Sequence, residues 1–122
     1  MAGITTYEQI SNRRVVAMWA ESGVQFRSNI ILDGGSIDLH AHSYDHVALV
    51  TQGWFKVIEV TPEGVKEYQV ASKDFKPTRD GFDPIGYRVT IPAGHKHSFE
   101  LVEGPGEVLC LWGDVSSLSH KE

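Results

Sequence analysis

Short segments that favour β-strands recur along this chain and constrain its fold more than any other feature. They are rich in Val, Ile, Phe, Tyr, Trp and Thr, and clusters of Gly, Pro, Asp and Asn separate them. The predicted strands are Arg14–Ala20, Val24–Leu32, Ser36–Ala41, His46–Gln52, Trp54–Val60, Val65–Val70, Tyr87–Ile91, His97–Leu101 and Glu107–Trp112. This regular series predicts an all-β fold, either an antiparallel barrel or a sandwich.

The segments between these strands are rich in turn-forming residues. Predicted turns lie at Asp33-Gly34-Gly35, Gln52-Gly53, Pro62-Glu63-Gly64, Pro92-Ala93-Gly94 and Gly104-Pro105-Gly106. A single helical turn is predicted at Thr5–Ile10, where Thr5 and Glu8 have the spacing of a capping box. The polar stretch Ser72–Gly86 predicts a long connection, compatible with either a lid or a plain surface loop.

A chain of 122 residues is expected to form one domain, 1–122, with residues 1–12 as an N-terminal arm and 116–122 as a frayed tail. The formal net charge of -5 disfavours a nucleic-acid partner, and the pair Arg13 and Arg14 is interpreted as a solvated strand end. The single cysteine, Cys110, excludes an internal disulfide and lies in an apolar run typical of a buried thiol. We find neither a membrane-spanning segment nor a signal peptide, so we expect a cytoplasmic protein with no membrane partner.

Nearly all histidines of the chain lie in two short windows, Gly34–His46 and Pro92–His97. His40 and His42 are two residues apart on a predicted strand, so their imidazoles point to the same face. His46 opens the next strand, and His97 follows a turn that can lie across a small barrel from the first hairpin. Convergent histidines inside an apolar barrel would otherwise need hydrogen-bond partners, so the pattern predicts a metal site.

The two windows resemble the two sequence motifs of the cupin superfamily. The first motif is a glycine, five residues, His-x-His, three or four residues, a glutamate, six residues and a glycine. It matches at Gly34, His40, His42 and Gly53, with His46 in the glutamate position. The second motif is a glycine, five residues, Pro-x-Gly, two residues, a histidine, three residues and an asparagine. It matches at Gly86, Pro92, Gly94 and His97, with Leu101 in the asparagine position.

This resemblance implies a small, single-domain protein with an antiparallel jelly-roll β-barrel. It implies one divalent metal ion held by His40, His42, His46 and His97. Some of the similar small cupins with four histidines bind manganese, so Mn or Fe is favoured, although imidazole suits Ni, Cu and Zn as well. The resemblance also implies a homodimer, packed through exposed apolar strand residues such as Val15, Val16 and Met18.

An all-histidine ligand set has consequences for the chemistry. Neutral ligands leave the charge of a divalent ion uncompensated, which favours an anionic small-molecule substrate. Octahedral geometry would leave two open positions, enough for a bidentate substrate or for one substrate oxygen plus dioxygen. The pattern therefore favours a metal-dependent dioxygenase, an oxidoreductase acting on a small oxygen-rich molecule. A non-catalytic ligand- or metal-binding module is the alternative, and a metal-free isomerase or epimerase is a third hypothesis.

The motifs contain no evident general base. The candidate catalytic residues are Tyr44, Tyr87 and His95, and Asp45 is also near the ligands in sequence. His95 precedes His97 in a turn and is assigned to the rim of the site, whereas His120 is assigned to the solvated tail. Further candidates for fixing an imidazole tautomer are Asn29 and Gln52. The aromatic residues expected in the barrel core are Phe26, Trp54, Phe55, Tyr87, Phe99 and Trp112.

Overall fold

A computed structural model describes residues 4–113 and contains eight β-strands and no helix within that range. The strands are β1 (Thr6–Ser11), β2 (Arg14–Glu21), β3 (Val24–Ile31), β4 (Ser36–His40), β5 (His46–Thr61), β6 (Gly64–Ala71), β7 (Arg88–Ile91) and β8 (Lys96–Gly113). The predicted all-β fold is therefore confirmed. The tail 116–122 and His120 lie outside the described residues, and no helix long and apolar enough to cross a membrane occurs among those that are described.

All strand pairs are antiparallel, and the main sheet order is β1-β2-β3-β8-β5-β6. In addition, β4 pairs with β8 and β7 pairs with β5. The long strands β5 and β8 pair from Val47 with Leu111 at one end to Val60 with Lys96 at the other. The pair β5 and β8 therefore joins β1, β2 and β3 on one side of the sheet to β6 on the other.

One face of the sheet forms the interior. Val16, Asn29, Val108 and Val50 are partners across four neighbouring strands and are all buried. Because side chains alternate between faces along a strand, residues of the same parity continue this inner face. The apolar core comprises Ile31, Ile37, Ala48, Val50, Phe55, Val57, Val70, Ile91, Phe99, Leu101, Val108 and Cys110.

Two predicted turns are wrong because β5 and β8 are each continuous. Strand β5 continues through Gln52-Gly53, and its pairing with β8 shifts register between Val50 and Phe55. Gly53 has φ +89°, a left-handed conformation that favours glycine, so a bulge bends the strand without reversing it. Gly104-Pro105-Gly106 likewise lies inside β8, opposite the same bulge.

The helical turn predicted at Thr5–Ile10 is also wrong. The segment forms β1, an exposed edge strand whose Tyr7 pairs with Ala17 and whose Gln9 pairs with Val15. A neighbouring strand offers this segment a full set of backbone partners, which outweighs a weak local capping signal. Residues 6–11 therefore form the edge strand of the sheet.

The connection predicted at Ser72–Gly86 is confirmed as a segment without strands, and hydrogen bonds hold it against the barrel. The side-chain amide of Gln69 accepts from Trp54 Nε1 and from the Asp83 amide, each at 2.8 Å. Glu103 accepts from the Thr78 amide at 2.9 Å. The segment is therefore a surface excursion tied down at several points.

Several expected positions of apolar residues need correction. Val16 is fully buried in the core, and it faces away from Val15 because the two are adjacent on one strand. Tyr87 is 37% exposed instead of buried. Phe26 lies on the outer face, where its ring stacks on Trp19 with centroids 5.1 Å apart.

Candidate metal centre

The four histidines of the two motifs come together at one end of the barrel interior. His40 ends β4, His42 follows in the loop, and His46 begins β5. His97 lies near the start of β8 and is the direct cross-strand partner of His40. The side chains of His46 and His97 are buried, while those of His40 and His42 are half-buried.

Three of these histidines form a compact set of donors. His40, His42 and His97 each offer one ring nitrogen, and these nitrogens lie within 4.8 Å of one another. The ring of His46 lies 5.1 Å from that of His42 and 5.0 Å from that of His97, measured between centroids. The structure thus brings all four rings together and groups the nitrogens of three.

Backbone carbonyls fix the tautomers of two ligand candidates. His40 Nδ1 lies 2.7 Å from the carbonyl oxygen of Asp38, and His97 Nδ1 lies 2.9 Å from that of His95. A carbonyl only accepts, so both Nδ1 atoms carry the proton and both Nε2 atoms of the neutral rings carry a lone pair. A backbone acceptor behind an imidazole is the usual support of a metal-ligating histidine.

His42 is linked to a tyrosine at the rim of the cavity. Its Nε2 lies 3.0 Å from His40 Nε2, and its Nδ1 lies 3.2 Å from Tyr44 Oη. Tyr44 in turn stacks on Trp112 with centroids 4.8 Å apart. Two ring nitrogens at 3.0 Å need a proton or a cation between them, so this pair suits a metal ion.

Several nitrogens in the cluster are buried and have no hydrogen-bond partner among the described residues. They are Nε2 of His97 and both ring nitrogens of His46. A buried polar atom without a partner costs about 1–3 kcal/mol, and a bound ion that takes these lone pairs would remove that cost. The donor set is therefore consistent with a bound metal ion.

The electrostatics of the cluster keep the imidazoles neutral. Burial, followed by the neighbouring histidines, lowers the pKa of His42 to about 4 and that of His46 to about 4. Burial also lowers the pKa of His97. At neutral pH these rings are unprotonated, which is the form that binds metals.

The cavity around the histidines is small and contains residues that the sequence analysis did not assign to it. Its lining consists of Arg14, Arg27, Asn29, Ile37, His40, His42, Tyr44, His46, His97, Phe99, Cys110 and Trp112. Its free volume is about 10 Å³, roughly the space of one water molecule. The interpretation of Arg14 as a solvated strand end is wrong, because its guanidinium points inward and donates to the buried Asn29. Arg27 is two residues from Asn29 on β3, so both side chains point to the same face. This spacing could have predicted from the sequence that Arg27 lines the cavity.

His95 lies beside the site but outside the cavity lining. Its Nδ1 is 2.7 Å from Oε2 of the buried Glu59, and Tyr68 Oη donates to the other oxygen of Glu59 at 2.9 Å. Burial and this hydrogen bond raise the pKa of Tyr68. His95 thus acts on the site through its backbone carbonyl, which accepts from His97, rather than through its ring.

The other candidates occupy different places. Tyr87 lies away from the histidines in an open groove of about 770 Å³, the largest one described, with Lys73 Nζ 5.3 Å from its ring centroid. Asp45 Oδ1 accepts from the Ala93 amide at 2.7 Å and so links the two motif loops. Asn29 lines the cavity without a hydrogen bond to a histidine, and Gln52 is exposed in the groove. Among the described residues, the histidine cavity is the place where convergent ligand atoms coincide with burial.

Two residues of the cavity wall match their sequence predictions. Phe99 is fully buried and lies edge-on to His97, with ring centroids 6.3 Å apart. Cys110 is a buried free thiol, and burial raises its pKa to about 11. A thiol that stays protonated is a poor nucleophile, so Cys110 serves as apolar lining.

Comparison with known proteins finds no matching family model and no matching curated protein. Solved structures do match over most of the chain. KdgF from Halomonas sp. aligns with a TM-score of 0.64 and 15% identity, over 87% of this chain and 83% of KdgF. A cupin superfamily protein from Desulfitobacterium hafniense aligns with a TM-score of 0.61 and 18% identity, over 87% of this chain and 82% of that protein.

A variant of oxalate decarboxylase from Bacillus subtilis aligns with a TM-score of 0.73 and 17% identity. The alignment covers 95% of this chain but 29% of the decarboxylase, so the chain spans less than a third of that enzyme. Oxalate decarboxylase has Mn(II) centres. Likeness at this level of identity shows a shared fold. Together with the antiparallel topology and the two motif loops at one end of the barrel, it shows that this chain has the β-barrel fold of the cupin superfamily.

Proposed function

We propose that this chain is a mononuclear metal-binding cupin that works as a metal-dependent oxygenase or related oxidoreductase on a small, oxygen-rich organic substrate. The convergence of ligand nitrogens from His40, His42 and His97 within 4.8 Å carries the proposal. His46 is the proposed fourth ligand, because both its nitrogens are buried without a partner. Mn or Fe is the proposed ion, supported by the imidazole donors and by the Mn(II) centres of oxalate decarboxylase.

The residues around the ion would have distinct tasks. A bound divalent ion would supply open positions that polarise substrate oxygens. The Asp38 and His95 carbonyls orient His40 and His97, and Ile37 and Phe99 keep the inner wall dry. Tyr44 is the proposed proton carrier at Oη, since this atom lies 3.2 Å from His42 Nδ1. Burial raises the pKa of Tyr44, so its hydroxyl starts protonated and would donate.

The cavity also supports the alternative, a metal- or ligand-binding module without catalysis. A free volume of about 10 Å³ holds little besides the ion, and no carboxylate occurs among the described lining residues. Ligand pockets usually measure about 300–1,000 Å³. Catalysis therefore requires either a very small substrate or a displacement of the Tyr44–Trp112 stack at the rim.

Oxygen uptake distinguishes the two functions. The protein is reconstituted anaerobically with Fe(II) or Mn(II) and then exposed to oxygen with a panel of diketones, catechols and phenylpropenes. We expect oxygen consumption that needs both metal and substrate and that disappears in His97→Gln, which keeps the side-chain volume but loses the imidazole. Retention of metal with no oxygen uptake across the panel would favour the non-catalytic module.

We also propose that the active form is a homodimer, built on the outer face of the sheet. Mostly apolar side chains form cross-strand rows there, Trp19–Phe26–Leu111–Val47 and Tyr7–Ala17–Ser28–Leu109–Leu49, with Ser28 as the polar member of the second row. Ile30, on the same face, is 40% exposed. A largely apolar sheet face favours a second copy of the chain as its partner.

Light scattering tests the dimer. We expect twice the chain mass for the wild type and a single chain mass for Ile30→Lys, since a charge added at this exposed apolar position would lose its hydration in the interface. The matched control is Val65→Lys on β6, which is 70% exposed and lies outside the apolar rows. A dimer that survives Ile30→Lys, or a monomeric wild type, contradicts this interface.

A further inference from the structure

Two arginine side chains reach the histidine cavity from neighbouring strands. Arg14 lies on β2 and Arg27 on β3, and both line the cavity beside Asn29. Cross-strand register places them on the inner face, because Val16 pairs with Asn29 and Cys110 pairs with Arg27. Cations are almost never turned into a barrel interior unless a counter-charge meets them there.

The Arg14 guanidinium is held in place by a neutral group. Its Nε and Nη2 atoms donate to Asn29 Oδ1 at 3.2 and 2.9 Å, and Asn29 is 2% exposed. The amide of Asn29 donates to the Val108 carbonyl at 3.4 Å, which fixes the orientation of the acceptor. Asn29 therefore aims Arg14 without neutralising its charge.

The Arg27 guanidinium has a buried donor without an acceptor among the described residues. Its Nε is buried and has no hydrogen-bond partner among residues 4–113. Asp38, whose charge acts on Arg14, is an exposed residue of β4 and does not line the cavity. Since no carboxylate occurs among the described lining residues, neither guanidinium meets a counter-charge inside the cavity.

We infer that Arg14 and Arg27 form an anion subsite that binds the carboxylate of the substrate, next to the metal-binding histidines. A guanidinium presents a planar fork of donors that matches a carboxylate, and a charge-assisted bond would satisfy Arg27 Nε. The substrate class is a small carboxylic acid with a second oxygen donor on the adjacent carbon, such as a 2-hydroxy or 2-oxo acid. The second donor would face the histidines. Because the free volume is only about 10 Å³, a molecule of this size enters when the Tyr44–Trp112 stack at the rim is displaced. This inference rests on the proposed function for the metal, but the arginine subsite stands on its own geometry.

Glycolate and its uncharged amide, glycolamide, test the subsite because they have nearly the same size. Both are titrated calorimetrically into the Mn(II)-loaded wild type and into Arg27→Gln, Arg14→Gln and Arg27→Lys, after elemental analysis of each protein. Arg13→Gln is the matched control, because Arg13 donates to the Asp33 carbonyl outside the cavity. Each titration is repeated on the metal-free protein.

We expect equal Mn(II) content in all variants, since no arginine is a ligand. Arg27→Gln is expected to weaken glycolate binding about 10-fold or more and to leave glycolamide unchanged, in line with a lost charge-assisted hydrogen bond. Arg27→Lys is expected to weaken glycolate binding less than Arg27→Gln does, and Arg13→Gln is expected to leave it unchanged. An equal loss for both ligands, or no loss for glycolate, overturns the subsite. A wild type that binds no Mn(II) refutes the proposed function instead. In that case the metal-free titrations test the subsite, because they show whether glycolate binding still depends on Arg14 and Arg27.

Discussion

Replacement of His97 by alanine is expected to lower metal affinity roughly 100-fold or more and to leave the purified protein nearly free of metal. Structural zinc sites contribute about 10–16 kcal/mol, and on that scale the share of one ligand among four is about 3 kcal/mol, or two orders of magnitude in affinity. His97 is buried, its Nε2 lone pair has no other partner, and it belongs to the compact set of three donors. Elemental analysis after purification without added metal, followed by Mn(II) titration, measures the effect.

Two further variants make this measurement specific. His97→Gln keeps most of the buried volume, so a loss of metal in both variants separates ligation from a packing defect. His95→Ala is the matched control, because its ring pairs with Glu59 and only its backbone carbonyl supports His97. Metal content that survives both His97 changes contradicts the site, as does a loss in His95→Ala as large as that in His97→Ala.

The same titration decides the role of His46. If four histidines bind the ion, His46→Ala is expected to lower the Mn(II) affinity as much as His97→Ala does. If only the compact set of three binds, His46→Ala keeps most of the affinity. His46 lies at the start of β5, with its ring 5.0 Å from that of His97, close enough for either outcome.

The histidine cluster could be predicted partly from local strand geometry, which places His40 and His42, and partly from the resemblance to the second motif, which adds His97. Alternation along a strand places His40 and His42 on one side, and glycine turns mark where strands reverse. The partners of the His40 and His97 rings are backbone carbonyls two residues before each ring, whereas the candidates that the sequence offered were Asn29 and Gln52. Strand alternation is visible in a single sequence, but a hydrogen bond between a ring nitrogen and a backbone carbonyl is not.

The arginines and the long strands were missed because they depend on distant partners. Arg14 looks like a surface residue until β3 places Asn29 beside it, fifteen positions away in the chain. Gly53 and Gly104–Gly106 look like turns until β5 and β8 are seen to pair along their length. Whether glycine reverses a chain or only bends it is decided by the strand across from it, and local patterns do not contain that information.

Gly53→Ala is therefore expected to be one of the most destabilising substitutions in the barrel, by about 2–6 kcal/mol. A left-handed conformation costs a non-glycine residue about 1–3 kcal/mol, and overpacking costs about as much again. At Gly53, φ is +89°, and an added Cβ would lie 2.9 Å from Gly106 Cα and 2.9 Å from the Pro105 carbonyl oxygen. Both contacts are backbone atoms of β8 and cannot rotate away. Urea unfolding of the metal-free protein measures the change.

Gly94→Ala separates the two costs. Gly94 has φ +82°, nearly the same backbone conformation, but an added Cβ there meets nothing within 4 Å. Its substitution should therefore cost only the conformational part, about 1–3 kcal/mol. If Gly53→Ala were no more destabilising than Gly94→Ala, the close approach of β5 and β8 at the bulge would not be a constraint on the sequence. A clear excess at Gly53 would instead show that the first-motif glycine is required by packing between the two long strands that support the histidines.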